Sequence, residues 1–124
     1  MTDPSPALVS DVFERDCTSR SAFEDVTAKW ASLVLLALHE GGYRFNALRR
    51  RVDGVSEKML SQTLQSLERD GMVTRDVVTA IPPRVEYALT ALGQRVAGRL
   101  RDLADVLEDA VPEVEQARAG HRPR

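Results

Sequence analysis

The stretch VSEKMLSQTLQSLERDGMVTR, residues 55–75, decides the fold. One side of it carries three leucines spaced by four and three residues: Leu60, Leu64 and Leu67. This spacing places them on one face of a helix. Ser56 precedes the helix as a predicted N-cap, and Gly71 follows it where a left-handed C-terminal turn is favoured. The stretch therefore predicts an amphipathic helix over residues 56–69.

The opposite face of this helix is polar. Its side chains recur at intervals of four, three and four residues: Lys58, Gln62, Gln65 and Arg69. At about 100° per residue the polar and apolar sets lie nearly half a turn apart. Such a helix can anchor on a core while offering hydrogen-bonding groups to DNA, but an ordinary surface helix has the same pattern. The neighbouring elements decide between these readings.

Helices are also predicted before this stretch. One covers about residues 29–40 and has an apolar stripe at helical spacing: Trp30, Leu33, Val34, Ala37 and Leu38. The next, over about residues 45–52, carries three consecutive arginines: Arg49, Arg50 and Arg51. Ser21 and Glu24 form a capping-box pattern, which predicts that a first helix begins or resets near residue 21.

The pattern changes after Gly71. Two β-rich runs, residues 73–78 and 85–89, flank a turn centred on two prolines at residues 82–83, which predicts a small hairpin. Thr90 is the predicted cap of a long final helix. That helix carries an apolar seam at intervals of four, three, four and three: Val96, Leu100, Leu103, Leu107 and Ala110. Pro112 is expected to end or kink it.

The order of these elements predicts a mainly α fold with a small β-hairpin, a winged helix-turn-helix. The helix over residues 56–69 would enter the major groove, where Gln pairs with adenine and Lys with guanine or a phosphate. Arginines on the preceding helix would approach phosphates, and Arg84 would reach the flanking minor groove or a phosphate. The predicted DNA contacts are Arg44, Arg49, Arg50, Ser56, Lys58, Ser61, Gln62, Gln65 and Arg84, with Arg51 also expected near backbone phosphates.

The charge distribution is compatible with that function. The chain of 124 residues has a formal net charge of -2. Its middle, residues 44–101, holds eleven basic and six acidic side chains, so this part is positive and the flanks are acidic. A DNA-facing module between separate dimerisation segments would show this asymmetry. An unevenly charged solvated surface would show it equally well, so charge alone does not decide.

Other function classes find little support in the sequence. No apolar run reaches the ~20 residues needed to cross a bilayer, and the N-terminus does not resemble a secretory signal. We therefore expect a cytoplasmic protein without a membrane partner. A single cysteine and two histidines predict neither a disulfide framework nor a zinc site. No catalytic set or phosphate loop stands out, which predicts a protein that is not an enzyme and needs no cofactor. The main alternative is a winged-helix protein-interaction module without sequence-specific DNA binding.

Several segments together resemble the HxlR-type family of bacterial winged-helix regulators, over roughly residues 17–107. They are Cys17, Lys29-Trp30, RFNALRR at residues 44–50, residues 55–75 and PPRVEYALTALG at residues 82–93. The resemblance implies a homodimer that places the helix over residues 56–69 in successive major grooves of a pseudo-palindromic operator. It further implies control of a nearby operon, most often as a repressor.

The resemblance also implies that the N-terminal and C-terminal helices form the dimer interface. The residues expected there are Phe23, Val96, Leu100, Leu103 and Leu107. The winged-helix domain with its dimerisation helices is accordingly assigned to residues 17–111. Residues 1–16 are expected to be a flexible segment and residues 112–124 a loose tail.

Cys17 is the candidate regulatory residue. Some HxlR-type proteins sense electrophiles or oxidants through an N-terminal cysteine, and the resemblance extends that option to this chain. A helix N-terminus and nearby arginines favour a thiolate, whereas Asp16 opposes it. The family often has Cys-Pro where this chain has Cys17-Thr18, and an inert thiol at the dimer interface is the alternative. Tyr43 and Tyr87 are candidates for lining a small-molecule effector pocket, whereas Trp30 and Phe45 are read as core.

Overall fold

The computed structural model describes residues 10–123 and confirms the predicted order of helices and hairpin. The elements are α1 (Thr18–Thr27), α2 (Lys29–Glu40), α3 (Phe45–Arg51), α4 (Glu57–Arg69), β1 (Val73–Ala80), β2 (Pro83–Leu89), α5 (Ala91–Asp109) and α6 (Val111–Gly120). Residues 1–9 of the expected flexible segment lie outside the described part. Residues 10–16 form turns before α1 rather than a helix or strand.

Helix α2 is the centre of the core, since it contacts α1, α3, α4, α5 and β2. The largest fully buried side chains come from α2, α3 and α4: Val34, Leu35, Leu38, Leu48, Leu60 and Leu67. Burial of each such side chain contributes roughly 1.5–3 kcal/mol relative to its exposure. Leu33, predicted within the apolar stripe of α2, is instead exposed and lines a surface groove between α2 and α5.

Both ends of α4 are fixed as the sequence predicts. Ser56 Oγ accepts a hydrogen bond of 3.0 Å from the Met59 amide. At the other end Gly71 adopts a φ of +77°, a left-handed conformation that favours glycine. The Gly71 amide donates to the Glu68 carbonyl and the Met72 amide donates to the Leu67 carbonyl, which is the Schellman arrangement.

The predicted capping box at the start of α1 is wrong. The helix begins three residues earlier, at Thr18, with Cys17 in the N-cap position. Ser21 therefore lies inside the helix, where its hydroxyl donates to the Thr18 carbonyl, and the Glu24 carboxylate binds Arg20. An amide inside a helix already bonds to a carbonyl four residues earlier, so the Glu24 amide does not need the Ser21 oxygen.

The hairpin is longer than predicted, and a residue outside it forms backbone hydrogen bonds with its second strand. Strand β1 continues to Ala80, and the turn lies at residues 81–82, one position earlier than expected. Tyr43, between α2 and α3, pairs in antiparallel fashion with Tyr87 of β2 through backbone hydrogen bonds of 3.0 and 2.8 Å. This bridge fastens the hairpin to the loop that precedes α3.

Thr90 joins the end of α4, the hairpin and α5. Its hydroxyl donates to the Gly71 carbonyl at 2.6 Å and accepts from the Gly93 amide at 3.0 Å, while its own amide donates to the Met72 carbonyl. The N-terminus of α5 therefore lies against the residues that follow α4. The approach is so close that a Cβ at Gly93 would overlap the Met72 carbonyl oxygen.

The C-terminal region differs from the expected loose tail. Helix α5 ends at Asp109, as Pro112 predicts, but a second helix, α6, follows over Val111–Gly120. Proline is tolerated in the first turn of a helix because the amide there lacks an intrahelical partner. Pro112 therefore separates two helices instead of ending helical structure. None of the described helices is long and apolar enough to cross a membrane.

The close contact at Gly93 predicts an unusual response to alanine. Glycine-to-alanine changes inside helices normally stabilise by about 0.5–1 kcal/mol. Gly93→Ala should instead lower the free energy of unfolding by roughly 1–3 kcal/mol, since the methyl group must displace backbone. Urea-induced unfolding, followed by circular dichroism, measures the change.

Gly98→Ala is the matched control, because Gly98 lies in the same helix and a Cβ there would have no heavy atom within 4 Å. We expect this variant to be as stable as the parent protein or more stable. Equal behaviour of the two variants would contradict the tight junction at Thr90.

Candidate nucleic-acid interface

The two faces of α4 are separated as the leucine spacing predicts. Leu60, Leu64 and Leu67 are buried against the core. The residues predicted to face DNA are exposed or half-buried: Lys58, Ser61, Gln62 and Gln65. Of these only Ser61 is half-buried. The helix thus presents one amine and two amides on a surface whose direction is set by the buried leucines.

Ser56 has a structural role that leaves part of its hydroxyl available. Its oxygen accepts the Met59 amide and thereby caps α4. A serine hydroxyl also carries one donor hydrogen. The position at the N-terminus of α4 is also where the helix dipole favours an anion. Ser56 can therefore cap the helix and donate to a DNA phosphate at the same time.

The three arginines of α3 are in different environments. Arg49 lies 3.6 Å from a Glu57 carboxylate oxygen. Arg51 binds Glu40 through two hydrogen bonds, of which the Nε–Oε1 bond is 2.8 Å. Arg50 is exposed, and no carboxylate of residues 10–123 lies within ion-pair distance of it. The arginines were expected to act together near phosphates, but only Arg50 is unengaged.

The environment of Glu40 shows how firmly Arg51 is held. Hydrogen bonds from Arg51 and from the Tyr43 hydroxyl, at 2.7 Å, lower the pKa of Glu40 to about 2. The hydrogen bond to Glu40 raises the pKa of Tyr43, since its hydroxyl donates to the carboxylate. Glu40 therefore stays ionised at neutral pH. Arg51 would have to break a charge-assisted pair to reach DNA.

The last residue of the polar face, Arg69, is fixed to α1. Its guanidinium lies 3.1 Å from Asp25 Oδ2 and 3.5 Å from Asp70 Oδ1. Burial, and then the neighbouring Asp25 carboxylate, raise the pKa of Asp70. Asp25 and Arg69 are 44 residues apart, so no local pattern could have paired them. This ion pair ties the C-terminal end of α4 to the first helix.

The remaining predicted DNA contacts flank α4. Arg44 is exposed at the N-cap position of α3, and Arg84 is exposed near the turn of the hairpin. No ion pair within the described part of the chain involves either of them. Both guanidinium groups are thus available to phosphates on either side of the helix.

The structure places the regulatory candidates elsewhere. Cys17 is half-buried at the N-terminus of α1. Tyr43 and Tyr87 pack against the core and pair through their backbones. A groove of about 400 Å³ between α2, the end of α3 and α5 does not include either tyrosine. Among the described residues no cluster of His, Cys, Asp and Glu could hold a metal ion.

Comparison with known proteins identifies the family. The model of the HxlR-like helix-turn-helix family matches residues 25–115. The chain belongs to this family. The YtfH regulator of Escherichia coli K12, described as an HTH-type transcriptional regulator, is 48% identical over 104 residues, which are 84% of this chain and 82% of that protein. YdeP of Bacillus subtilis, another such regulator, is 34% identical over 88% of this chain and 87% of that protein.

Solved structures agree with this membership. The transcriptional regulator ytfH of Salmonella typhimurium superimposes with a TM-score of 0.81 at 44% identity, over 90% of this chain and 99% of that chain. The reduced form of the redox regulator HypR gives a TM-score of 0.70 at 29% identity, over 78% of this chain and 96% of that chain. The winged helix-turn-helix fold predicted from the sequence is confirmed.

Family membership decides between the function classes that the sequence left open. The HxlR-like family consists of transcriptional regulators and not of enzymes, and the relatives above are helix-turn-helix regulators. The chain is a DNA-binding transcriptional regulator. The alternative of an interaction module without DNA binding is not supported.

Proposed function

We propose that this regulator binds a pseudo-palindromic operator as a homodimer, with α4 of each protomer in a major groove. The observation that carries the proposal is the geometry of α4: three buried leucines and two fixed ends direct its polar face outward. By analogy with its family, the regulator represses a nearby operon. Its activity then takes place in the cytoplasm, where the DNA is.

The residues of the interface divide into two roles. Lys58, Gln62 and Gln65 are assigned to base edges, with Ser61 beside them. Phosphate contacts are assigned to Arg44, Arg49, Arg50, Ser56 and Arg84. The first group would select the sequence, whereas the second would position the protein and make binding salt-dependent.

An apolar surface on α5 supports the homodimer. Leu103 and Leu107 are 54% and 53% exposed, whereas Val96 and Leu100 pack partly against the core of their own protomer. Phe23 of α1 is also exposed, at 53%. Leu103 and Leu107 are four residues apart on one face of α5, and exposed apolar side chains that adjoin in this way usually mark an interaction site. A second copy of the same helix would cover this surface. Two α4 helices in successive major grooves would then have to lie about 34 Å apart, one turn of DNA.

Arg50→Ala should weaken binding to every duplex, specific or not. The magnitude of the slope of log K against log salt should fall by about 1, the value expected for the loss of one phosphate contact. Arg51→Ala is the matched control from the same helix, because Arg51 is already bound to Glu40. We expect it to leave the salt slope nearly unchanged and to lower stability. Fluorescence anisotropy with labelled DNA at several salt concentrations measures both.

Gln62→Ala, in the same assay, should reduce discrimination between operator and random DNA by about 1–3 kcal/mol, since a bidentate base contact is lost. The operator is obtained by enrichment from random duplex DNA with the parent protein. Failure of the parent protein to prefer any duplex would refute the proposal. Equal salt slopes for the Arg50 and Arg51 variants would refute only the assigned phosphate contact.

Leu103→Glu should shift the protein from dimer to monomer in sedimentation velocity, because two carboxylates would be buried at the two-fold interface. Val77→Glu is the control. Val77 is even more exposed, at 63%, but lies in the hairpin away from the α5 seam. A dimer that persists in the Leu103 variant, with its stability unchanged, would place the interface elsewhere.

Cys17 is proposed as a thiol that modulates operator binding. It is half-buried at the N-cap position of α1, and structural relatives include the redox regulator HypR and the diamide-treated YodB of Bacillus subtilis. Diamide, which is reduced to the hydrazine as two thiols form one disulfide, should link the Cys17 sulfurs of two protomers and lower operator affinity several-fold, and Cys17→Ser should be insensitive to it. Unchanged affinity after confirmed oxidation of the thiol would exclude this role.

A further inference from the structure

The outer end of the hairpin is apolar and contacts little of the protein. Val77 and Val78 are more than half exposed, and Ile81 at the turn is 93% exposed. The base of the hairpin, in contrast, is held by Thr90 and by the Tyr43 bridge. Because Ile81 is exposed, a polar residue in its place would not weaken the core. We therefore look for a function of this side chain outside the core.

The outermost residues of the hairpin carry a positive charge, which favours a polyanion as partner, whereas the next cross-strand pair towards the base, Asp76 and Glu86, is acidic. From Val77 to Val85 the sequence is VVTAIPPRV, in which Arg84 is the one ionisable side chain. Arg84 is exposed, and no carboxylate of residues 10–123 lies within ion-pair distance of it. The tip thus combines an apolar side chain, two prolines and one available guanidinium.

The connection to α4 determines how far the tip can extend from the recognition surface. Strand β1 begins at Val73, directly after the Schellman turn of α4. Its eight residues span about 25 Å at roughly 3.3 Å per residue. A major groove is about 12 Å wide. With α4 in that groove, the hairpin is long enough to pass a phosphate ridge and reach the adjacent minor groove.

We propose that Ile81 is a wedge that enters the minor groove flanking the α4 contact, opens a base step there and bends the duplex. Arg84 binds in the same groove beside it. Proteins that open base steps from the minor groove use apolar side chains of this type. The cost of opening depends on the step and is lowest at flexible pyrimidine–purine steps. Ile81 therefore reads DNA deformability outside the bases contacted by α4.

This inference rests on the proposed binding of α4 to DNA. The test uses duplexes of about 30 base pairs that contain the site enriched by the parent protein, with a fluorophore at each end. Energy transfer between the fluorophores reports bending, and anisotropy reports affinity. The variants are Ile81→Ser, Ile81→Leu and Val78→Ser. Since these side chains are largely exposed, we expect all three variants to fold as the parent does.

The parent protein and Ile81→Leu should bend the duplex, whereas Ile81→Ser should reduce the bend by roughly 20° or more. Val78→Ser, on the strand before the turn, should bend as the parent does. Replacing a flanking TA step with AA should weaken the parent about fivefold and leave Ile81→Ser nearly unaffected.

Equal bending and equal TA preference in the parent and in Ile81→Ser would overturn the wedge while leaving α4 binding intact, as Gln62→Ala would show separately. A changed sedimentation coefficient of free Ile81→Ser would show instead that the tip joins copies of this chain. A parent protein that binds no duplex would refute the proposed function together with the wedge.

Discussion

The packing of Leu60, Leu64 and Leu67 against the core is the contact on which the rest of the molecule depends. A helix of 13 residues would be marginal alone in water, so its formation and its direction both come from this buried face. Because the leucines fix the rotation of α4 about its axis, they also fix where Lys58 and the two glutamines point. The polar face of α4 therefore points away from the protein because the opposite face is packed against the core.

The junction after α4 extends this control to the other elements. The Schellman turn at Gly71 ends α4. Thr90 then donates hydrogen bonds to the carbonyls of Gly71 and Met72. Gly93 permits α5 to approach the same backbone. The hairpin and α5 therefore start from one small region with little freedom relative to α4. In the proposed homodimer, a shift of α5 would therefore also move α4 and the hairpin.

Tertiary ion pairs determine which basic side chains remain for DNA. The sequence shows a positive middle segment, but the fold neutralises part of it internally. Glu40 holds Arg51, and Asp25 holds Arg69. The cations left without such partners in the described chain include Arg44, Arg50 and Arg84, which lie before and after α4. Fewer arginines are thus available to phosphates than their number in the sequence suggests.

The sequence by itself determined the order of the elements, the two faces and two ends of α4, and the family, because periodicity, capping and glycine conformation are local properties. The sequence did not reveal the true start of α1, because Ser21, which lies inside the helix, has the spacing to Glu24 of a capping box. It also did not reveal α6, because Pro112 is compatible with either the end of a helix or the first turn of a new one. Only the tertiary structure decided the partners of Arg51 and Arg69, the exposure of Leu33 and the contact at Gly93. Each of these depends on side chains or backbone brought together from distant parts of the chain, and no local pattern encodes such distances.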